Sequence, residues 1–143
     1  MSRLTIFIAA SYGSLGVALG AYRAHGLEKA LVAAQLPAAE ITQRLANLGI
    51  AVEYGLIHAV ALVAITALGT RASSRYLTLA AILLALGTFL FSGSLTLQAL
   101  SGQSGYWLIP PSGGLLLITG WLAVALHAIC SARVQADSIP VSL

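Results

Sequence analysis

The sequence predicts an all-α integral membrane protein: a bundle of four transmembrane helices with an amphipathic interfacial segment between helices 1 and 2. Three observations predict it. First, hydrophobic residues make up 59% of the 143 residues and charged residues 8%, against about 25% charged in a soluble domain. So little charge cannot cover a water-facing surface, and lipid is the solvent that suits it. Second, the charges stand between long apolar runs, and none occurs from Tyr76 to Ala132. Third, no strand-like alternation persists, so the roughly 10-residue alternating segments of a membrane β-barrel are missing. The length suits one transmembrane domain over residues 1–143 with short connections.

The first span covers residues 4–24. Its run from Leu4 to Tyr22 carries no charge and, at about 1.5 Å per residue, nearly crosses a hydrocarbon core about 30 Å thick. A signal peptide competes, with Arg3 as its basic start and Ala18-Leu19-Gly20 as its cleavage site. Tyr12, Gly13, Ser14 and Gly16 interrupt what would be its apolar stretch, so a retained span is expected. Ala9, Gly13, Gly16, Gly20 and Ala24 form a small-residue stripe, with Gly16 and Gly20 as a GxxxG pair. Such a face lets backbones approach within a monomer or between two copies, and packing inside the monomer is the preferred reading.

Residues 27–48 are polar by comparison, with Glu28, Lys29, Gln35, Glu40, Gln43, Arg44 and Asn47. Pro37 suits the first turn of a helix, where Glu40 then meets the positive end of the dipole. Glu40 and Arg44 are spaced i,i+4 with the acid first, and Ile41, Leu45 and Leu48 share a face. The expectation is one or two amphipathic helices on the membrane surface, with a solvated loop as the alternative.

The second span is expected at residues 49–69, the third at 76–100 and the fourth at 111–132. Arg71 and Arg75 flank the loop between the second and third. Ser101-Gly102-Gln103-Ser104-Gly105 is turn chemistry, and Tyr106 and Trp107 suit the interfacial aromatic belt. Pro110, Pro111, Gly113 and Gly114 suit a tight helix start. The polar tail from Arg133 is expected to fray. Counting cations near the span ends, Arg3, Arg71, Arg75 and Arg133 stand against Arg23, Lys29 and Arg44, which favours both termini in the cytoplasm. With the cations scattered at span ends, the net charge of +3 indicates membrane flanks and no nucleic acid.

Polar residues inside spans are costly and mark the places to examine. His58 is expected near the bilayer midplane, with Tyr54 one turn earlier on the same face. Ser92 and Ser94 lie deep in the third span. These four are a candidate intramembrane polar site; helix-to-helix hydrogen bonding is the competing role. Arg23, His25 and Glu53 are a candidate polar mouth, with an Arg23–Glu53 ion pair expected to lower the cost of both charges. Gly13, Gly16, Gly20, Gly93, Gly113 and Gly114 are candidate helix-packing positions. Cys130, the single cysteine, reads as a buried inert thiol. His25, His58 and His127 have no metal-ligand spacing, and no metal or cofactor is expected. No nucleophile–base pair can be assembled, so an enzyme is not expected.

Five short motifs occur in order: Gly20-Ala21-Tyr22-Arg23-Ala24-His25-Gly26-Leu27, Tyr54-Gly55-Leu56-Ile57-His58, Phe91-Ser92-Gly93-Ser94-Leu95, Pro111-Ser112-Gly113-Gly114 and Gly120-Trp121. Together they resemble the YgdD/YwdK-type family of small bacterial inner-membrane proteins of unknown function, which has a human mitochondrial relative. Arg23 stands where that pattern usually has Gly, and Thr96 where Tyr is common. The resemblance implies a bacterial inner-membrane location and a small helical bundle, and no reaction. It also groups His25, Tyr54, His58, Ser92 and Ser94.

Three function classes follow. An accessory or assembly protein of a larger membrane complex ranks first, given the small size and small-residue face. A binder or carrier of a lipid, quinone or other amphipathic molecule around His58 is second. An ion- or proton-coupled transporter is third, because Glu53 is the only acid in any span. The expected partners are membrane lipids, and beyond them a larger membrane protein complex or a homo-oligomer.

Overall fold

The computed structural model describes residues 2–71, 74–103 and 108–137. Within them the chain forms α1 (Ser2–Tyr22), a π-helical turn (Arg23–Leu27), α2 (Glu28–Ala33), α3 (Ala38–Arg71), α4 (Arg75–Ser101) and α5 (Ile109–Asp137), with no strand among the described residues. Four continuous helical stretches are long and apolar enough to cross a membrane, the first running from Arg3 through the π turn to Ala33. The expected ends of the third span fall within a residue of α4, and α5 begins two residues before the expected fourth span. The tail expected to fray stays helical to Asp137. The aromatic-belt pair Tyr106 and Trp107 lies outside the described residues.

Segment 27–48 differs from the expectation in form. It is helical, but as the continuation of the first helix into α2 and the first third of α3. At 34 residues, α3 is about 51 Å long, well beyond a hydrocarbon core. The two helices meet in a Schellman turn: Leu36 N–H donates to Leu31 carbonyl and Gln35 N–H to Val32 carbonyl. Gln35 takes the left-handed conformation, at φ 56°. Pro37 then starts α3, its carbonyl accepting from Ile41 N–H. Leu27, Leu31 and Leu48 are buried with Ala99, and Leu36, Ile41 and Leu45 pack on them. The apolar face read as a lipid contact is therefore closed against its own hairpin.

Backbones approach closely between α1 and α3, α3 and α4, and α4 and α5; α1 and α5 make no such approach among the described residues. In α1, Gly16 and Gly20 face Leu56 and Val52, and Gly13 faces Ala59. The stripe from Ala9 to Gly20 thus packs inside the monomer, while Ala24 is exposed. The tightest crossing joins α4 to α5. A Cβ on Gly113 would stand 2.5 Å from Phe91 N, and one on Gly87 3.0 Å from Gly113 O. Gly120 admits Leu84 in the same way; neither Gly87 nor Gly120 was among the expected packing positions. Gly114 makes only ordinary contact with the Phe91 ring. Gly93 corrects the expectation: a Cβ there would meet nothing within 4 Å, so it faces open space instead of a helix.

Candidate functional site

The four residues of the expected intramembrane site separate by the direction each faces. His58 is buried on α3. Trp121 Nε1 on α5 stands 3.3 Å from its Nε2, and its Nδ1 lies 2.8 Å from Tyr54 O. An indole N–H can only donate, so Nε2 accepts. Nδ1 then carries the proton and donates to the Tyr54 carbonyl, which assigns the neutral Nδ1–H tautomer. Both ring nitrogens are thereby satisfied. Tyr54 stacks on His58 at 5.9 Å between ring centroids and reaches Phe91 of α4 at 4.7 Å. This row of rings ties α3, α4 and α5 together. The sequence reading did not single out Trp121 as a site residue. An indole N–H in an apolar span needs an acceptor, and that was the available signal.

The expected polar mouth does not assemble. Arg23 Nε donates to Leu45 carbonyl at 2.9 Å, and the guanidinium lies flat on Gly49, whose Cβ would come within 2.9 Å of Nε. Glu53 is exposed and forms no ion pair with Arg23; among the described residues the single salt bridge is Arg44–Glu40, at 2.6 Å. Arg23 is instead taken up by the Leu45 carbonyl. Val52 faces α1 and the next residue, Glu53, is turned about 100° away. His25 is exposed on the π turn. Beyond the mouth, Arg44 covers Gly102, the left-handed C-cap of α4, placing a cation at the negative end of that helix.

Beside α3, between α1 and α4, lies a cavity of about 530 Å³. It exists because α1 packs on α3 and touches α4 chiefly through Tyr12, whose hydroxyl donates to Ala85 carbonyl at 2.7 Å. Leu15, Leu19, Val52, Phe89 and Leu97 make its wall apolar, and Gly93 leaves it open. His58 and Tyr54 do not line it; Ser92 and Ser94 do. The helix hydroxyls around it mostly return to a carbonyl one turn back: Thr88 to Leu84 at 2.7 Å and Ser94 to Leu90 at 2.5 Å. Two do not. Ser92 Oγ is buried without a partner, and Thr96, one turn further along α4, makes no hydrogen bond among the described residues. In hydrocarbon an unpaired hydroxyl is costly, so this pair is where the groove can bind something polar.

Two helix registers locate the groove's upper end. Gly20 faces Val52 across α1 and α3, and Arg23 lies over Gly49. Gly55 faces Ser92 across α3 and α4, and Asn47 Nδ2 reaches Gln98 Oε1. Gly49, and with it Arg23, is therefore level with Thr96 and Leu97. Arg23 and Thr96, the two departures from the resembled pattern, therefore lie at a similar level, Thr96 in the cavity wall and Arg23 outside its lining.

The bundle and its lateral groove define a multi-pass α-helical membrane protein. The family model "Protein of unknown function (DUF423)" matches residues 19–114, and the chain belongs to that family. It is 33% identical over 128 residues to the UPF0382 inner membrane protein YgdD of Escherichia coli K12, covering 90% of this chain and 91% of that one. It is 34% identical over 124 residues to the UPF0382 membrane protein SH2409 of Staphylococcus haemolyticus, covering 87% and 93%. It is 30% identical over 128 residues to YwdK of Bacillus subtilis, covering 89% and 97%. No solved structure matches.

Proposed function

We propose that this protein binds an amphipathic, membrane-soluble molecule in the groove between α1 and α4, within the bacterial inner membrane. The observation that supports this is the unbonded hydroxyl pair, Ser92 and Thr96, in an otherwise apolar cavity of about 530 Å³. That volume falls in the range of small-ligand pockets, and the groove lies on the side of the bundle that lipid reaches. The binding role expected around His58 thus moves one helix face away, because both nitrogens of His58 are already bonded. The accessory role ranked first on sequence drew on the small-residue stripe. That stripe is turned against α3, so it lends the docking reading no outward face. With both termini in the cytoplasm, the Thr96 end of the groove opens toward the outer leaflet.

The test uses the full-length protein extracted in mild detergent and examined by native mass spectrometry. The Cβ of Gly93→Leu would meet nothing within 4 Å, and the rest of the side chain would occupy the groove. The expected result is one retained small molecule per wild-type chain, lost from Gly93→Leu at unchanged melting temperature. A wild-type chain that carries nothing, or a variant that carries as much, rejects the binding role.

A further inference from the structure

We propose that two copies of this chain pair side by side along α3, with Arg23 of each copy on Glu53 of the other. The surface is separate from the groove, whose lining on α3 is Ala51, Val52 and Gly55.

Glu53 is the acid that lipid cannot satisfy. Gly55 faces Ser92 and Asn47 reaches Gln98, which puts Glu53 between those levels, near Ser94. From Ser94 to Ser101, where α4 ends, is about 10 Å of helix. Glu53 therefore stands below the membrane edge, and it is exposed. It makes no ion pair; the single one among the described residues is Arg44–Glu40. Ile50, Ile57 and Val60, which share its helix face, are exposed as well. Acids at such depth are costly and turn to a partner. An unpaired acid on an outward apolar face marks a face that protein covers.

Arg23 supplies the complement. Its guanidinium lies on Gly49, one turn from Glu53 on the same face of α3. One hydrogen bond holds it, Nε to the Leu45 carbonyl, and it too makes no ion pair. A cation and an acid thus stand near each other on one outward patch, each without a counter-charge. A two-fold axis along the membrane normal keeps every residue at its own depth and turns the same patch of a second copy toward the first. Helical side chains lean toward the N-terminus of their helix, which carries the Glu53 carboxyl toward the level of Gly49. Arg23 and Glu53 then pair twice across the axis. An unrelated protein would need its own acid and cation at these two depths; a second copy has them there already.

The experiment reads the oligomeric state of the full-length protein by native mass spectrometry after gentle release from its own membranes. The chains are wild type, Glu53→Arg, Arg23→Glu, and the two variants co-expressed. Wild type is expected as a dimer. Each reversal alone is expected as a monomer, because like charges then face each other. Co-expressed, the two variants are expected to form a dimer of one chain of each kind, since both pairs across the axis are again opposite in sign. A pair confined to one chain cannot make two variants rescue each other. A monomeric wild type, whether alone or bound to a different protein, overturns the proposal. So does a dimer that survives either reversal, or a co-expressed pair that stays monomeric. If a reversed chain does not insert, Glu53→Gln and Arg23→Gln take its place. Each is expected to weaken the dimer about tenfold or more, and an undiminished dimer overturns the proposal.

Discussion

Trp121 and His58 join α5 and α3, which share no close backbone contact among the described residues. The indole N–H of α5 donates to Nε2 of the imidazole on α3 across 3.3 Å. The same donor fixes the neutral tautomer and sends the other ring proton back to the Tyr54 carbonyl.

Trp121→Phe removes the donor and keeps a ring. Interhelical hydrogen bonds in membranes contribute about 0.6 to 1.7 kcal/mol, and the loss is expected in that range. Unfolding in mixed detergent micelles measures it. His58→Leu in the Trp121→Phe background should then cost less than His58→Leu alone. Additive costs in this double-mutant cycle would show that the bond contributes nothing.

The α4–α5 crossing gives a contrast between adjacent glycines. Gly113→Ala drives a methyl into the Phe91 backbone, where neither partner can yield by rotating a side chain. A loss of about 1 to 3 kcal/mol is expected from overpacking. Gly114→Ala meets only the Phe91 ring at 3.9 Å, and should stay within about 0.5 kcal/mol of wild type. Melting curves of the two variants in the same detergent decide it; equal shifts would mean that α5 does not cross α4 at Gly113.

The two left-handed residues predict opposite signs. Gln35 holds φ 56° with a side chain, and Gly102 holds φ 73° without one. Gln35→Gly should stabilise by up to about 1 kcal/mol, since left-handed backbone disfavours a Cβ. Gly102→Ala should destabilise by at least about 1 kcal/mol, because it adds that strain and displaces the Arg44 guanidinium. Chemical denaturation of both variants tests the pair, and a stabilised Gly102→Ala would contradict the turn geometry.

The sequence by itself determined the membrane class, the four spans and most of the packing faces. Hydropathy is local: the charge-free run from Tyr76 to Ala132 and the turn residues within it mark α4 and α5 to within two residues at most ends. Small residues such as Gly16, Gly20 and Gly113 announce close approach because lipid offers few other ways to bring helices together. What each polar residue faces was decided by tertiary structure. One residue turns a side chain by about 100°, so Val52 meets α1 while Glu53 is exposed and unpaired with Arg23. The apolar face of residues 27–48 has the same pattern whether it covers lipid or its own hairpin, and only the fold of that hairpin distinguishes them. The groove is a product of helix placement: α1 leans on α3 and stops short of α4, leaving Ser92 and Thr96 unbonded between them.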